Sequence, residues 1–307
     1  MANLTREVMG ITFKNPVVIP SGPGGFGLEM EKDVLSKIGA FTIKSVTLEP
    51  KEGNPSPRLV DAGYGLINSI GLQNPGIKTF LNTIYPKLLP FPTKLFFSIA
   101  GNSPCEFREM AAVLNGVEGF DLLVLNLSCP NVEDANTLLG ANPESVAEIL
   151  KQVKTVFTTR PVTVKLPPEI PDFPSVIRAC ENNGADGLVL FNCITGARFD
   201  IETGKPFLKR TYGGYSGPAV KPIYLRKIHL ARQLTKLPII GMGGAYKWDD
   251  IFEYLLAGAE LVGFGLRTMV DPLEVAELPE KAQSWLCKHG FADLTDYLLK
   301  TRKGELK

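Results

Sequence analysis

The chain has 307 residues, of which 44% are apolar, and its formal net charge is +1 at pH 7. A chain of this length and composition can bury a large core, so we expect an ordered protein of one large α/β domain or two smaller ones. The near-neutral charge, without a run of Lys or Arg, excludes an electrostatic footprint for nucleic acid or a membrane surface. The expected ligand is therefore a small molecule.

The chain carries no sequence signal for a membrane or for secretion. No apolar stretch approaches the roughly 18 residues that a membrane span needs. The first residues lack the cationic and apolar pattern of a signal peptide. We therefore expect a cytoplasmic protein.

Neither cysteine nor histidine is arranged as a metal site. The five cysteines are scattered without a C-x-x-C pair, which predicts no zinc or iron–sulfur site and, in a reducing cytoplasm, no disulfide. His229 and His289 are the only histidines, and both fall in helical patterns of the C-terminal half, where a surface or capping role is ordinary. If the protein is an enzyme, its proton chemistry is expected to come from another residue type.

Eight short apolar runs, rich in β-branched residues, alternate with amphipathic segments. In chain order the runs begin at Pro16, Phe41, Lys94, Asp121, Pro161, Gly187, Leu237 and Leu261. Seven of the eight are apolar along nearly their whole length, as is typical of parallel strands covered on both faces. Residues 142–157, 172–184 and 248–258 are examples of the helical pattern between them.

Eight strands alternating with helices predict a (β/α)8 TIM barrel, formed as one domain over residues 1–307. The alternative is a doubly wound sheet, which is disfavoured because no G-x-G-x-x-G follows the first strand. Residues 47–76 after the second strand and 195–222 after the sixth are long connections rich in Gly, Pro and polar residues. We interpret both as elaborated loops on the C-terminal face, because long ordered loops are usually functional.

Polar residues and glycines end the apolar runs on the face that carries the active site in such barrels. They are Ser21, Gly22, Lys44, Ser45, Ser98, Asn126, Ser128, Cys129, Lys165, Asn192, Cys193, Gly243, Gly244 and Gly265. This ring has no histidine and no carboxylate pair, which disfavours metal-assisted hydrolysis and glycosidase chemistry. The glycines of the last two strands expose backbone N–H groups where barrels commonly hold a phosphate, although a tight turn is the ordinary reason for glycine there.

Lys44 and Lys165 are each flanked by apolar strand residues. A lysine in a dry site is costly unless it faces an anion. Both therefore indicate a cofactor that becomes anionic during turnover. A reduced flavin carries such a charge near N1 and C2=O, which favours the flavin phosphate ester FMN.

Several motifs together resemble the class 1 dihydroorotate dehydrogenases, which are FMN-containing (β/α)8 enzymes of pyrimidine biosynthesis. They are "KSVTLEPKEGNPSPR", "INSIGLQNPG", "NLSCPNV", "VKLPP", "GARFD", "GGYSGPAVKP" and "IIGMGG", and they extend over nearly the whole chain. The pair "NLSCPN" and "NSIGLQN" is specific. The resemblance implies that Cys129 removes the proton from C5 of dihydroorotate while flavin N5 accepts hydride from C6.

The resemblance also implies which residues bind substrate and cofactor. Those implied for the substrate are Lys44, Asn68, Ile70, Gly71, Leu72, Asn126, Asn131, Asn192 and Cys193. Those implied for FMN are Ser21, Gly22, Lys44, Ser45, Asn126, Lys165, Ser216, Gly217, Gly243, Gly244, Gly265 and Leu266. Residues 132–140 are expected to form a lid over the thiol. A thiol base with an ordinary pKa of about 8.5 predicts activity that rises from neutral to alkaline pH.

Two residues depart from the family pattern. Cys193 stands where the family usually has Ser or Thr, and a thiol is a weak hydrogen-bond donor, so another dihydropyrimidine is an alternative substrate. The family's Gly-Thr at the eighth strand reads Gly265-Leu266, where backbone N–H groups can still hold a phosphate. A flavin-binding paralogue without turnover is a third alternative, which the complete set of thiol, lysines and asparagines disfavours.

The motifs leave two classes open for the electron acceptor. "KSVTLE", "FFSIAG" and "VKLPP" match the homodimeric, fumarate-using class, whereas the lid length and the "GARFDIETGKPFL" loop match the NAD-linked class. We favour the second, class 1B, because loop architecture is harder to mimic than single residues. It implies a separate FAD and iron–sulfur subunit, and both classes imply a homodimer of the barrel chain.

Overall fold

The structure is a computed structural model that describes residues 2–128 and 138–303. Eight parallel strands close into a barrel in sequence order. They are β1 (Val17–Ile19), β2 (Ala40–Thr42), β3 (Lys94–Ile99), β4 (Leu122–Asn126), β5 (Val162–Leu166), β6 (Gly187–Leu190), β7 (Ile239–Met242) and β8 (Leu261–Gly263). All eight predicted strands and the predicted (β/α)8 barrel are thereby confirmed.

Helices surround the barrel and connect its strands. They are α1 (Lys32–Lys37), α2 (Ile77–Thr79), α3 (Tyr85–Leu88), α4 (Pro104–Asn115), α5 (Pro143–Val156), α6 (Phe173–Asn182), α7 (Lys221–Leu234), α8 (Asp250–Ala257), α9 (Gly265–Val270), α10 (Pro272–Lys288) and α11 (Leu294–Arg302). A π-helical turn (Phe80–Ile84) joins α2 to α3, and short 3-10 turns lie at Leu139–Ala141 and Pro218–Val220.

Three of these helices, α5, α6 and α8, confirm the three helical segments taken as examples from the sequence. His229 lies in α7 as expected, whereas His289 follows the last residue of α10 and caps it. Among the described helices, none combines the length and the apolar character needed to cross a membrane.

The barrel strands are apolar because they are covered on both faces. One buried cluster lies between the strands and the surrounding helices. A second, which includes Val18, Phe96 and Ile240, fills the barrel interior. Burial on both faces explains why the strands are continuous apolar runs rather than alternating patterns.

An N-terminal hairpin, Arg6–Val8 with Ile11–Phe13, closes the end of the barrel at which the strands begin. Its two-residue turn has positive φ at Met9 and Gly10, as hairpin turns of this length require. Phe13 is fully buried and meets Phe96 edge to face, with ring centroids 5.9 Å apart. The hairpin therefore acts as an apolar plug opposite the C-terminal face.

The two long connections are elaborated, as predicted, and they contain secondary structure that the sequence did not indicate. They supply four short strands, Leu59–Asp61, Leu66–Asn68, Ile194–Gly196 and Gly213–Ser216, that form one antiparallel sheet. The central pairing joins the two connections and sets Asn68 opposite Gly214. The pairing between the two connections joins residues far apart in the chain, and each strand is only three or four residues long, so no local pattern reveals this sheet.

We expect Phe13→Ala to lower the free energy of unfolding by about 3–5 kcal/mol, because it removes a fully buried ring from the plug and leaves a cavity. Urea-induced unfolding followed by circular dichroism measures the change. Phe199→Ala is the matched control, since Phe199 is 53% exposed, and its effect should stay within about 0.5 kcal/mol. Equal effects of the two substitutions would contradict the assignment of the hairpin as a plug.

Candidate active site at the mouth of the barrel

Serine side chains from three neighbouring strands meet at the C-terminal end of the barrel. Ser45 Oγ lies 2.8 Å from Ser98 Oγ and 3.2 Å from Ser21 Oγ. Ser45 and Ser98 are buried. The half-buried Ser21 and the two buried serines therefore provide hydrogen-bond partners for one another. The sequence identified Ser98 only as a residue at a strand end, because its neighbours in the chain do not indicate a hydrogen-bond partner on another strand.

Asn126, the last residue of β4, extends this serine network. Its Nδ2 donates to Ser45 Oγ at 2.9 Å. Its Oδ1 accepts from Ser128 Oγ at 2.6 Å and from the Ser128 backbone N–H at 3.3 Å. Both Asn126 and Ser128 are buried. The amide is therefore held from both sides, and the network reaches the loop that begins the "NLSCPN" motif.

Asn192 and Cys193 join the network from the end of β6. Asn192 Nδ2 donates to the Ser128 backbone oxygen at 3.2 Å, and Asn192 Oδ1 accepts from the Cys193 backbone N–H at 2.9 Å. The Tyr224 hydroxyl of α7 donates to the Asn192 backbone oxygen at 2.7 Å. Burial raises the pKa of Tyr224, so the phenol stays a neutral donor. Asn126, at the end of β4, and Asn192, after β6, therefore both bind Ser128.

The Cys193 side chain lies among three other predicted binding residues. Burial raises the pKa of the Cys193 thiol, while the charge of Lys165 and the side-chain hydrogen bonds of Asn68 and Ser216 oppose that rise. The thiol is therefore protonated at neutral pH. Asn68 is itself fixed, because its Nδ2 donates to the Gly214 backbone oxygen at 3.0 Å. The small sheet brings Asn68 and Ser216 to the mouth of the barrel.

The predicted substrate segment, residues 70–72, is half-buried and is held by Asn74. Asn74 Oδ1 accepts from the backbone N–H groups of Thr47 and Gly76, at 3.1 and 2.8 Å, and its Nδ2 donates to the Leu72 backbone oxygen at 2.7 Å. The sequence motif assigned Asn74 no role. Its position before Pro-Gly is a turn signal that points to such bonding.

The two predicted lysines are both withdrawn from solvent to some extent. Burial lowers the pKa of Lys44, Arg58 lowers it further by charge repulsion, and Glu29 opposes both. Lys165, in β5, is only 6% exposed. A buried ammonium group gains stability when an anion lies beside it. Lys165 and Ser21 also line a small cavity in the barrel interior below the mouth.

The turn after β7 can be formed only by glycine. Gly243 and Gly244 have φ of +116° and +85°. A Cβ at Gly243 would lie 2.5 Å from the Tyr224 ring, and a Cβ at Gly244 would lie 2.5 Å from the Lys221 backbone nitrogen. The turn therefore has the bare backbone that a phosphate site needs.

Asp250, which the sequence analysis did not single out, fixes this glycine turn. Its carboxylate is buried and accepts from Lys221 Nζ at 2.6 Å and from the backbone N–H groups of Tyr246 and Lys247 at 2.6 and 2.8 Å. These bonds tie the segment after the turn to the start of α7. An acidic residue at the first turn of a predicted helix is the signal that could have identified it.

The remaining predicted cofactor residues lie on the same face. A Cβ at Gly217 would lie 2.4 Å from a backbone oxygen of the Leu59–Asn68 hairpin turn. Gly265 begins α9, and a Cβ there would lie 3.5 Å from the Pro20 side chain, which directly precedes Ser21 and Gly22. Leu266 is buried. The ends of β8 and β1 are therefore adjacent.

Part of the predicted site lies outside the described residues. Cys129, Asn131 and residues 132–137 of the predicted lid belong to this part, so their roles stay predictions. From the end of the lid, the Gly140 N–H donates to the Leu127 backbone oxygen at 3.0 Å. Within residues 2–128 and 138–303, no group of His, Cys, Asp or Glu is arranged to hold a metal ion.

Comparison with known proteins agrees with this geometry. The family model for dihydroorotate dehydrogenase matches residues 3–281. The dihydroorotate dehydrogenase B (NAD(+)) catalytic subunit of Caldicellulosiruptor bescii is 40% identical over 295 residues, which cover 96% of this chain and 97% of the relative. The same subunit of Bacillus pumilus is 39% identical over 303 residues, covering 98% and 97%. That of Listeria monocytogenes is 40% identical over 286 residues, covering 92% and 94%.

The match therefore extends from the first barrel strand to the last and includes every strand end that carries a predicted site residue. The curated relatives match over nearly their whole length as well. By these criteria the chain belongs to the dihydroorotate dehydrogenase family of oxidoreductases, within class 1B.

Proposed function

We propose that this protein oxidises dihydroorotate to orotate with FMN as its cofactor, in the cytoplasm, as a step of pyrimidine biosynthesis. The relatives' names and the family's dependence on flavin support the proposal. The observation that carries it is the mouth of the barrel, where the Asn126 and Asn192 amides are both held by Ser128 and Asn126 is paired with the buried Lys165 of the next strand. Such a set recognises an anionic ring with several acceptor oxygens.

Dihydroorotate fits this donor set. Its carboxylate and its two ring carbonyls accept hydrogen bonds from amide N–H and ammonium groups. Its ring N–H groups need acceptors, and the amide oxygen of Asn68 is one candidate, since the Asn68 side chain is held in place by the bond from its Nδ2 to the Gly214 backbone oxygen. Lys44, whose pKa is lowered by burial and by Arg58, is stabilised by the carboxylate.

FMN fits the strand ends beside this space. The Gly243-Gly244 turn suits the phosphate, because no side chain can be placed there without meeting Tyr224 or Lys221. Lys165 suits the flavin ring, since it supplies a buried positive charge, and Ser45 holds the neighbouring Asn126 amide in place. When bound, FMN supplies the acceptor for the two electrons of the oxidation. We propose that residues 1–307 form one FMN-binding domain.

We propose that Cys129 removes the C5 proton of the substrate. The proposal rests on the "NLSCPN" motif and on the fixed position of Ser128, the residue directly before it. Ser128 binds both Asn126 and Asn192, two residues that the resemblance implies for the substrate. Asn131 and the predicted lid would follow on the same loop and exclude water.

We further propose that the chain forms a homodimer and delivers its electrons to a separate FAD and iron–sulfur subunit. The relatives are named as catalytic subunits of NAD-linked enzymes, which implies a second kind of subunit. The residues that the structure describes contain no cluster of metal ligands that could hold an iron–sulfur centre. Electron transfer to NAD would therefore require the second chain.

A second candidate substrate is another dihydropyrimidine, and Cys193 is the observation that favours it. A protonated thiol is a weak donor at a position where the family usually has a hydroxyl. A ligand with fewer acceptor atoms near Cys193 would lose less binding free energy from this weak donor. The two candidates differ in which compound reduces the flavin.

We expect anaerobic addition of L-dihydroorotate to bleach the oxidised-flavin absorbance of the purified protein. The variants Cys129→Ser and Cys129→Ala should slow this bleaching by about 100-fold or more, because each removes the proposed base. Stopped-flow absorbance measures the rate. Cys105→Ser is the matched control, since Cys105 is an exposed free thiol on α4.

In the same experiment dihydrouracil tests the alternative substrate, since it is the same ring without the carboxylate. Bleaching by dihydrouracil but not by dihydroorotate would replace the proposed substrate. A flavin spectrum that neither compound changes would contradict both candidate activities.

We expect Gly244→Ala to weaken FMN binding at least tenfold, because the new methyl group meets the Lys221 backbone in the phosphate turn. Equilibrium titration of the apoprotein with FMN, followed by flavin fluorescence, measures the dissociation constant. Gly204→Ala is the matched control: its φ of +69° is also positive, but open space surrounds the added Cβ. Equal losses in both variants would show that backbone strain, and not the phosphate turn, is responsible.

We expect the isolated chain to reduce its own flavin with dihydroorotate but to produce no NADH from added NAD. Addition of the FAD and iron–sulfur subunit should start NADH formation, measured by its absorbance. Steady-state reduction of fumarate by the isolated chain would instead support the fumarate-using class.

A further inference from the structure

We propose that Ser128 is a positioning residue that sets the orientation of both active-site asparagines, so that Asn126 and Asn192 each present an N–H group to the substrate. Ser128 is buried, and it bonds Asn126 through its side chain and Asn192 through its backbone oxygen. This inference rests on the proposed function, because it concerns how the same site reads the acceptor oxygens of its ligand.

The orientation of the Asn126 amide follows from the nature of its partners. The Ser128 backbone N–H can only donate, so the Asn126 atom 3.3 Å away from it must be the oxygen. The Ser128 hydroxyl donates to the same oxygen at 2.6 Å, which is the shorter bond of the two. Asn126 Nδ2 therefore points to the opposite side, where Ser45 Oγ accepts one of its two hydrogens.

The orientation of Asn192 is fixed by the same kind of argument. The Ser128 backbone oxygen can only accept, so the atom of Asn192 that faces it at 3.2 Å is the nitrogen. The Cys193 backbone N–H can only donate, and it faces Asn192 Oδ1 at 2.9 Å. Among residues 2–128 and 138–303, each amide nitrogen has one hydrogen-bond acceptor, which is Ser45 Oγ for Asn126 and the Ser128 backbone oxygen for Asn192, so its second hydrogen can bind a ligand.

The Ser128 hydroxyl is the element of this arrangement that a substitution can remove. The partner on the other side of Asn126, the Ser45 hydroxyl, can either donate or accept, so it does not discriminate between the two orientations of the amide. Without the Ser128 hydroxyl, only the 3.3 Å backbone bond would favour the donor orientation. The hydroxyl hydrogen is also committed to Asn126, so Ser128 acts through the amide and not on the substrate itself.

A double-mutant cycle tests this role. Ser128→Ala, Asn126→Ala and the double variant are compared with the wild type in flavin reduction by dihydroorotate and in orotate binding, which is followed by the change it causes in the flavin spectrum. We expect Ser128→Ala to lower kcat/KM and orotate affinity by about tenfold or more, because the buried Asn126 Oδ1 loses the nearer of its two donors. We expect the double variant to be no worse than Asn126→Ala, because Ser128 acts through that amide.

Two further variants separate positioning from loss of structure. Ser128→Thr keeps a hydroxyl and should recover most of the affinity. Thr163→Val removes another buried hydroxyl, which lies on β5 and donates to the Leu123 backbone oxygen of the neighbouring strand β4. This variant should lower the urea midpoint of unfolding without changing orotate affinity. If Ser128→Ala does not fold, Ser128→Cys replaces it in the cycle, since a thiol has similar size but donates weakly.

The outcomes distinguish this inference from the proposed function. If dihydroorotate does not reduce the wild-type flavin, the proposed function fails. The positioning role of Ser128 is then tested by the orotate affinities of the variants alone. If the wild type is active but Ser128→Ala equals it in rate and affinity, the positioning role is overturned. Losses that add independently in the double variant, or a threonine variant as impaired as the alanine variant, would overturn it as well.

Discussion

Closure of the parallel barrel is the constraint on which the site depends. Parallel strands carry their carboxyl ends to one edge, and closure bends that edge into a ring. The register sets Asn126 of β4 opposite Lys165 of β5, and β5 is followed by β6, whose end carries Asn192. Residues separated by dozens of positions in the chain therefore share one small space. A shift in any strand pairing would turn these side chains away from it.

Burial of polar groups at this ring makes the site rigid. Ser98, Asn126 and Ser128 are removed from water, and a buried polar group without a partner costs about 1–3 kcal/mol. Each of these side chains instead has a partner on a different strand or loop. Because the bonds share members, displacing one side chain disturbs the next. The network that satisfies the buried groups also fixes the orientation of the Asn126 amide.

The small antiparallel sheet adds a second layer of control above the ring. It joins the connections after β2 and β6, so that Asn68 and Ser216 approach the Cys193 thiol together. The glycine turn after β7 is held in a comparable way by Asp250, which binds Lys221 at the start of α7. In both places a loop is fixed by a residue from another part of the chain. The mouth of the barrel thus has a defined shape although much of it is loop.

The sequence by itself determined the eight strands, because strands buried on both faces are continuous apolar runs that stand out from amphipathic helices. It also determined which residue types end each strand and, through the motifs, the family. The roles of Cys129 and Asn131 come from those motifs alone. The (β/α)8 barrel followed from the order of strands and helices, without knowledge of any contact.

Only the tertiary structure decided which hydroxyl meets which amide. Ser45 and Asn126 are 81 positions apart, and no periodicity relates them. The small sheet, the bonds of Asn74 and the clamp of Asp250 were missed for the same reason, since each depends on a partner from a different segment. Local sequence encodes burial and turn chemistry, whereas the direction of a side-chain hydrogen bond depends on the partner that the fold brings to it.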